Sequence, residues 1–439
     1  MARSTADLDG YALTESIDRA HGCLRRNFRS GSGAAGWYHY LDDPLPGITA
    51  SAVGLFTFSV PGVVFERAPD VLAYLIGQQS HPGNPRSGGW SVRTTNGFPI
   101  LEATAWVVRA LSRPDVGLLS GGASARRGAE WIRDNQNVDC GWGSYAGQPS
   151  RVFHTALAVL ALDECGGDRA ALAQAQRWLI DAQNPGVPAW GPLPGAEPTL
   201  VHTSWALMAL TRIPGALSVN TIRRTTEWLL EGLSPGTHVE RSTTVEEYDV
   251  PFAQAGATAV FQNSLPHFAG PLAISALLSA GVVDPLQPKV FETLQGILDT
   301  QQESGAWELP RSPTRPSIWA IWPFVNALAL ARSTILTTPN SRASLLFPGC
   351  VIVQNEDVGR RFSRGLLVRS ILRDWIRMKR LTAILWLVSV AATGIPLGLL
   401  ISGSLSLSEF LMSLIVPLLL MLFDYLWQRR HSSGAGAGP

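Results

Sequence analysis

Residues Arg127–Gly143 read RGAEWIRDNQNVDCGWG, and the two halves of this stretch have different characters. After a small-residue start, Trp131 and Ile132 anchor a run with charged residues on either side, the spacing of a helix with one apolar face. The second half, from Asn135-Gln136-Asn137 to Gly141-Trp142-Gly143, is turn chemistry closed by a large aromatic ring. A single such segment would carry little weight. Its recurrence decides the fold.

Earlier copies run Ala20–Trp37, where AHGCLRRNF leads to Gly36-Trp37, and Val71–Trp90, with Tyr74-Leu75, Gln79 and Gly88-Gly89-Trp90. Later copies are Ala175–Trp190 (Trp178-Leu179, Gln183, Trp190), Thr226–Leu233, which keeps Trp228-Leu229 and loses the Gln, and Leu294–Trp307 (Gln301, Gly305, Trp307). Between them lie apolar segments rich in small residues. They read TASAVGLF from Thr49, TAWVVRAL from Thr104, TALAVLAL from Thr155, TSWALMAL from Thr203, PLAISALL from Pro271 and PFVNALAL from Pro323. Arg109 is their one charge, and each is long enough for a buried helix. A period of about 50 residues marks a repeat architecture whose units bury their faces against their neighbours. Alternating an amphipathic helix with an apolar one gives an outer and an inner ring, and six pairs closed on themselves make an all-α (α/α)6 toroid. The Trp is expected to cover the end of a neighbouring helix, and the Gln amide to satisfy orphan backbone groups there.

Bulk properties narrow the function classes. The 439 residues give room for one large domain and an appendage. A hydrophobic share of 46% against 16% charged residues points to a membrane-embedded portion. The net charge of +1 argues against nucleic acid as a partner. Cys23, Cys140, Cys165 and Cys350 are far apart and read as reduced thiols of a cytosolic domain. No apolar run of signal-peptide length stands at the N-terminus.

The pattern R-G-x-x-W-I-x-x-x-Q-x-x-x-x-G-W, from Arg127 to Trp142, resembles the QW motif of the terpene cyclase and protein prenyltransferase superfamily. Squalene–hopene cyclases, class II diterpene cyclases and prenyltransferase β subunits belong to it. The resemblance covers residues 15–332, about three quarters of the chain, and implies an α/α toroid that handles isoprenoids. Class II cyclases protonate an alkene or epoxide with an Asp of a D-x-D-D-T-A motif, a task for an unusually strong, dry acid. The matching positions here read Arg151-Val152-Phe153-His154-Thr155-Ala156, without an Asp. Prenyltransferase β subunits hold zinc with a D-x-C motif and a His before a Thr-like position. His154-Thr155 and His202-Thr203 match the His element, but no D-x-C precedes an inner segment. Glu102, His154 and His202 are of zinc-binding type but their spacing alone does not support a site, so the sequence assigns no metal and leaves the cofactor open.

After Arg332 the repeats stop. Residues 333–380 read as a linker and a basic juxtamembrane helix, and Leu381–Ile401 and Phe410–Trp427 as two transmembrane helices, each apolar enough to cross a core of ~30 Å. Residues 428–439 form a disordered tail. Positive charge flanks the outer ends of this pair (Arg377, Lys379 and Arg380; Arg429 and Arg430), and none lies in the turn Ser402–Ser408. The positive-inside rule then puts the toroid and the C-terminus in the cytoplasm, anchored at the inner membrane. The basic stretch also suits anionic lipid head groups, a membrane-lipid partner.

In a toroid of this kind the N-terminal ends of the inner helices converge on the central cavity. Glu102, His154 and His202 stand there as candidate catalytic residues and Arg151 as a candidate for substrate binding. The insertion Ser234–Gly270 carries the densest acidic cluster, Glu246-Glu247-Tyr248-Asp249, which reads as a replacement acid or a magnesium-diphosphate ligand set, and Asp249 is taken from it as the catalytic candidate. Trp106, Trp205, Phe252, Phe261, Trp319 and Trp322 are the expected apolar lining for an isoprenoid chain, since aromatic faces also stabilise carbocations. Two functions remain in contest. One is an isoprenoid-handling enzyme, cyclase-like or prenyltransferase-like. The other is a non-catalytic toroid that senses a ligand or protein partner, alone or as a homo-oligomer, and acts through the membrane hairpin. An open cavity with converging His and Glu favours the first, and a filled centre the second.

Overall fold

A computed structural model of the chain describes residues 10–80, 87–92, 97–113, 121–213, 215–233, 243–254, 257–309 and 315–337. The chain forms two units, Met1–Arg342 and Ala343–Pro439. The expected membrane segments and tail lie outside the described residues.

Helices alternate along the first unit. The odd-numbered ones are α1 (Gly10–Arg26), α3 (Ala68–Gly77), α5 (Gly121–Asp134), α7 (Arg169–Asp181), α9 (Val219–Gly232) and α11 (Pro288–Asp299). The even-numbered ones are α2 (Ile48–Thr57), α4 (Leu101–Leu111), α6 (Val152–Glu164), α8 (Leu200–Leu210), α10 (Ala269–Ser279) and α12 (Trp322–Thr337). Each even helix packs on the even helices before and after it, and α12 returns to α2, which closes an (α/α)6 toroid. The even helices are the inner ring. All of Leu101–Leu111 is buried, as an apolar helix surrounded on every side requires. The outer helices bury one stripe; α9 buries Ile222, Thr225, Thr226 and Leu229. Among the described residues one stretch, Ile318–Leu336, has the length and hydropathy of a membrane span, and 61% of its apolar window is buried in the protein as the core helix α12 and the turn before it.

The repeat turns explain the Trp content. Five indoles donate to a carbonyl in the last turn of the outer helix just before them. Trp37 reaches Leu24 (2.8 Å), Trp90 Leu75 (2.7 Å), Trp142 Ile132 (2.7 Å), Trp190 Leu179 (2.6 Å) and Trp307 Ile297 (2.8 Å). These carbonyls lie where the i→i+4 ladder of their helix has ended, and Leu75, Ile132 and Ile297 also accept from the residue just past it. The Trp thus serves the helix of its own unit rather than a neighbour's. In four units the Trp backbone N–H is held by a hydroxyl one turn into the next inner helix: Ser51, Thr104, Thr155 or Thr203. The Gln does cross between units. Gln79, Gln136 and Gln301 donate to the carbonyl two residues before the Trp and to the next outer helix, at Ser124, Ala171 and Ser16. The ring closes where Leu41 N–H meets Pro316 O and Ile318 N–H meets His39 O.

A small hairpin, β1 (Arg29–Gly31) with β2 (Ala34–Gly36), follows α1. A larger one falls where the sequence reads as a loop insertion. It consists of β3 (Thr243–Gln254) and β4 (Ala257–Phe268), antiparallel, with Thr243 opposite Phe268 and Gln254 opposite Ala257. Burial alternates with period two. Glu246, Tyr248, Val250, Leu265 and His267 are buried, and Glu247, Asp249, Gln262 and Ser264 are exposed. β4 runs straight into α10, with Phe268 as its N-cap.

Candidate functional site

The buried face of the β3–β4 hairpin meets the N-terminal ends of α4, α6 and α8. Glu246 is its centre. Only 1% of the residue is exposed, so its charge needs partners. Arg151, the N-cap of α6, donates from Nε at 2.6 Å, and His202 in the first turn of α8 lies 2.6 Å away through Nε2. A carboxylate accepts only, so the Nε2 proton faces it. The Thr199 hydroxyl, the N-cap of α8, sits 2.7 Å from His202 Nδ1 and accepts the His202 backbone N–H. Burial alone would raise the Glu246 carboxyl, but the His202 contact and the Arg151 charge outweigh it and hold the group ionised, well below the usual carboxylate range.

Glu102, in the first turn of α4, behaves oppositely. Burial, reinforced by the negative charge of Glu246, pushes it up to about 8, so it is protonated at neutral pH. The Tyr248 hydroxyl donates to Glu102 Oε2 and accepts from Asn263 Nδ2 at 2.8 Å. His154 stands edge-on to the Tyr248 ring at 4.7 Å, and neither of its ring nitrogens has a partner in the protein. Burial pushes it down to about 3, so it is neutral.

Beside this cluster is a small aromatic cavity of about 10 Å³, bordered by Trp106, Phe153, Trp205, His267, Trp319 and Trp322 among others. Trp322 lies 4.8 Å from Trp106 and 5.9 Å from Trp205, ring centre to ring centre. Phe153 lies 5.2 Å from Trp205 and 4.7 Å from His267. Burial lowers His267 to about 4.

The structure therefore gathers Glu102, Arg151, His154 and His202 in one cluster, and Trp106, Trp205, Trp319 and Trp322 around one cavity. Two expectations need correction. Asp249 is exposed because it is one strand step out of phase with Glu246 and Tyr248, and Glu246 takes the place expected of it. Phe261 is 41% exposed rather than lining the cavity. The Phe252 side chain lies outside those described. Thr199, Asn263 and His267 were not foreseen. The signal for the last two was the period-two pattern across 243–268, which selects their strand face. Among the described residues no group of three His, Cys, Asp or Glu is placed to hold a metal.

No protein-family model matches the chain. It is 32% identical over 117 residues, 26% of its length, to a drimenyl diphosphate synthase from Streptantibioticus cattleyicolor. It is 31% identical over 157 residues, 33% of its length, to a squalene–hopene cyclase from Bradyrhizobium diazoefficiens. The match spans about a fifth of these curated relatives, 21% and 22% of their lengths. Among solved structures, the apo type II terpene cyclase MstE from Scytonema superposes with a TM-score of 0.52 at 14% identity, covering 74% of this chain and 99% of that one. A variant of the same cyclase holds geranylgeranyl dihydroxybenzoate, described as its substrate. A family 76 glycoside hydrolase from a bovine Bacteroides thetaiotaomicron strain superposes with a TM-score of 0.54 at 11% identity, covering 73% and 78%. The fold is thus the toroid of type II terpene cyclases, a scaffold that a glycan-cleaving enzyme also uses, and chemistry has to be argued from the site.

Proposed function

We propose that this chain binds an isoprenoid or a similarly apolar lipid in the centre of its toroid, with the β3–β4 hairpin as the gate. In the same reading, residues 381–427 tether it to the cytoplasmic face of the inner membrane, where such lipids partition, and anionic head groups meet its basic juxtamembrane stretch. One observation carries the proposal: an aromatic cavity is walled on one side by a hairpin that is tied to three inner-helix starts, through Glu246 to Arg151 and His202 and through Tyr248 to Glu102. With the gate shut, about 10 Å³ leaves room for roughly one water molecule. Ligand entry therefore needs the hairpin to withdraw.

Binding without turnover fits the site better than cyclisation. Protonating an alkene takes a strong acid that carries its proton. His154, within the four positions that match the cyclase acid motif, is a neutral imidazole without an acidic proton at neutral pH, and Glu102 holds its proton too tightly. The sensor reading follows: ligand in, hairpin out, signal passed to the membrane segment.

The test uses full-length protein in lipid nanodiscs, titrated with geranylgeraniol and followed by tryptophan fluorescence, with empty nanodiscs as the partition control. The wild type should bind, and Glu246→Ala, which frees the hairpin from Arg151 and His202, should bind faster. Extraction and mass analysis should return the ligand unchanged. A cyclised or transferred product would replace this reading with the enzymatic one, and absence of binding in both proteins would remove it.

A further inference from the structure

Building on that binding reading, we infer that the ligand is an uncharged, isoprenoid-type lipid carrying one hydrogen-bond-accepting oxygen, rather than a pure hydrocarbon or a diphosphate. Three polar groups on the cavity wall carry the inference. Trp106 Nε1, Trp205 Nε1 and His267 Nε2 have no hydrogen-bond partner in the protein. Their residues are 1%, 1% and 5% exposed, and all three side chains line the same cavity. Other buried polar atoms also lack a partner, His154 Nδ1 and Nε2 among them, but none of those residues borders this cavity. The five indoles of the repeat turns each donate to a backbone carbonyl at 2.6–2.8 Å.

An unpaired buried donor costs more free energy than a made hydrogen bond returns, so these groups favour a partner. Indole N–H groups donate only, which makes that partner an acceptor; the imidazole either gives or takes a proton. The rest of the wall is aromatic and aliphatic, so the body of the ligand is apolar. A hydrocarbon would leave all three groups unpaired. A diphosphate would bring charges that this wall cannot answer: no Arg or Lys lines it, burial keeps His267 neutral at pH 7, and Arg151 is committed to Glu246. His267 is one residue from the N-cap of α10, at the root of the hairpin, and so stays on the wall when the distal strands withdraw.

The experiment compares geranylgeraniol, the hydrocarbon of the same chain ending in a methyl group, and geranylgeranyl diphosphate, each against full-length protein in nanodiscs with partition controls. The wild type should prefer the alcohol over the hydrocarbon by about two- to tenfold for each hydrogen bond formed, with the diphosphate weakest. Trp106→Phe, Trp205→Phe and His267→Phe keep a ring and remove the polar atom. Each should reduce the ratio of alcohol to hydrocarbon affinity, in which the change of ring surface common to both probes cancels, and a cooperative denaturation transition checks that the variant is folded. Equal binding of alcohol and hydrocarbon, an advantage that survives in all three variants, or tightest binding of the diphosphate would overturn the inference and leave the binding reading standing. If none of the three probes binds, both fall.

Discussion

The outer-helix turns and the inner-helix starts belong to the same repeat, yet they treat their polar groups in opposite ways. At the turns, Trp90, Trp142 and Trp190 make the same two contacts: the indole to its own outer helix and the backbone to a Thr of the next inner one. At the starts, α4 offers Glu102, α6 offers Arg151 and His154, and α8 offers His202. The hydrogen-bond partners of Glu102, Arg151 and His202 come from an inserted hairpin, not from the neighbouring unit. What the period supplies is structure. What breaks the period is a buried charge network, and a network of that kind destabilises a fold as readily as it stabilises one, so its presence points to function.

The comparison breaks most visibly at the turns. Trp142 is 1% exposed and donates to Ile132 at 2.7 Å. Trp142→Ala removes a large buried ring and one of the hydrogen bonds to that carbonyl, and should cost about 3–5 kcal/mol in a denaturant titration of the full chain. Trp90→Ala and Trp190→Ala should match it, since their surroundings repeat. If the three losses differ widely, or stay below about 1 kcal/mol, the turns are not equivalent clamps.

The same contrast explains what could be read in advance. The twelve helices were legible because a period of about 50 residues repeats six times, and Glu102, Arg151, His154 and His202 were legible because toroid geometry brings helix starts together. The hairpin was not. Its alternation is interrupted by Glu246-Glu247, two charges in a row, and by Pro251 and Pro266, residues that weaken a strand reading. Without the strand phase nothing distinguishes Glu246 from Asp249, although one is buried and the other exposed. His267 owes its importance to a cavity formed across the ring; the strand alternation puts it on the buried face but does not announce that role.

A second test sharpens the site half of the comparison. Glu102 titrates near 4.5 when unfolded and near 8 when folded. Between those values the unfolded chain releases its proton first, so this group makes stability fall as pH rises, until it ionises in both states near pH 8. His21, His154 and His267 are pushed below their ordinary 6.5, to about 4, 3 and 4, so stability falls as pH drops from 6.5 through those values. Each of these histidines still adds about 0.4 kcal/mol between pH 6.5 and 8, as its unfolded form loses the remaining half proton. Over the same window Glu102 should remove about 1.6 kcal/mol, of which the three histidines together return about 1.2. Glu102→Gln still offers Tyr248 an acceptor and cannot ionise. Denaturant titrations at pH 6.5 and pH 8 should therefore show little net change in wild type and a gain of about 1 kcal/mol in the variant. An equal change in both would mean that Glu102 is already ionised beside Glu246, and the division of roles between the two carboxylates would fail.

The smallest effect returns to the turns and asks how strict their repetition is. Two residues before the Trp, the chain has Gly88 at φ 103° and Gly305 at φ 88°, but Cys140 at φ 71°. A Cβ at Gly305 would come within 2.1 Å of the Arg19 carbonyl, and one at Gly88 within 2.9 Å of the Arg127 carbonyl. The third unit tolerates a side chain there, and its Gln shows a matching difference. Gln136 reaches Ala171 of α7 at 3.5 Å, whereas Gln79 and Gln301 reach their next outer helices at 2.9 Å. The longer contact is what a slightly displaced α7 would produce. Cys140→Gly relieves a left-handed backbone strain of about 1–2 kcal/mol, and loses part of that gain to the greater freedom of glycine in the unfolded chain. The net should be a stabilisation of about 0.5–1 kcal/mol, read as a small upward shift in the denaturation midpoint at unchanged slope. Destabilisation would show that the Cys140 side chain, packed against the core, contributes more than its backbone strain costs, and that this unit has adapted its clamp around the thiol.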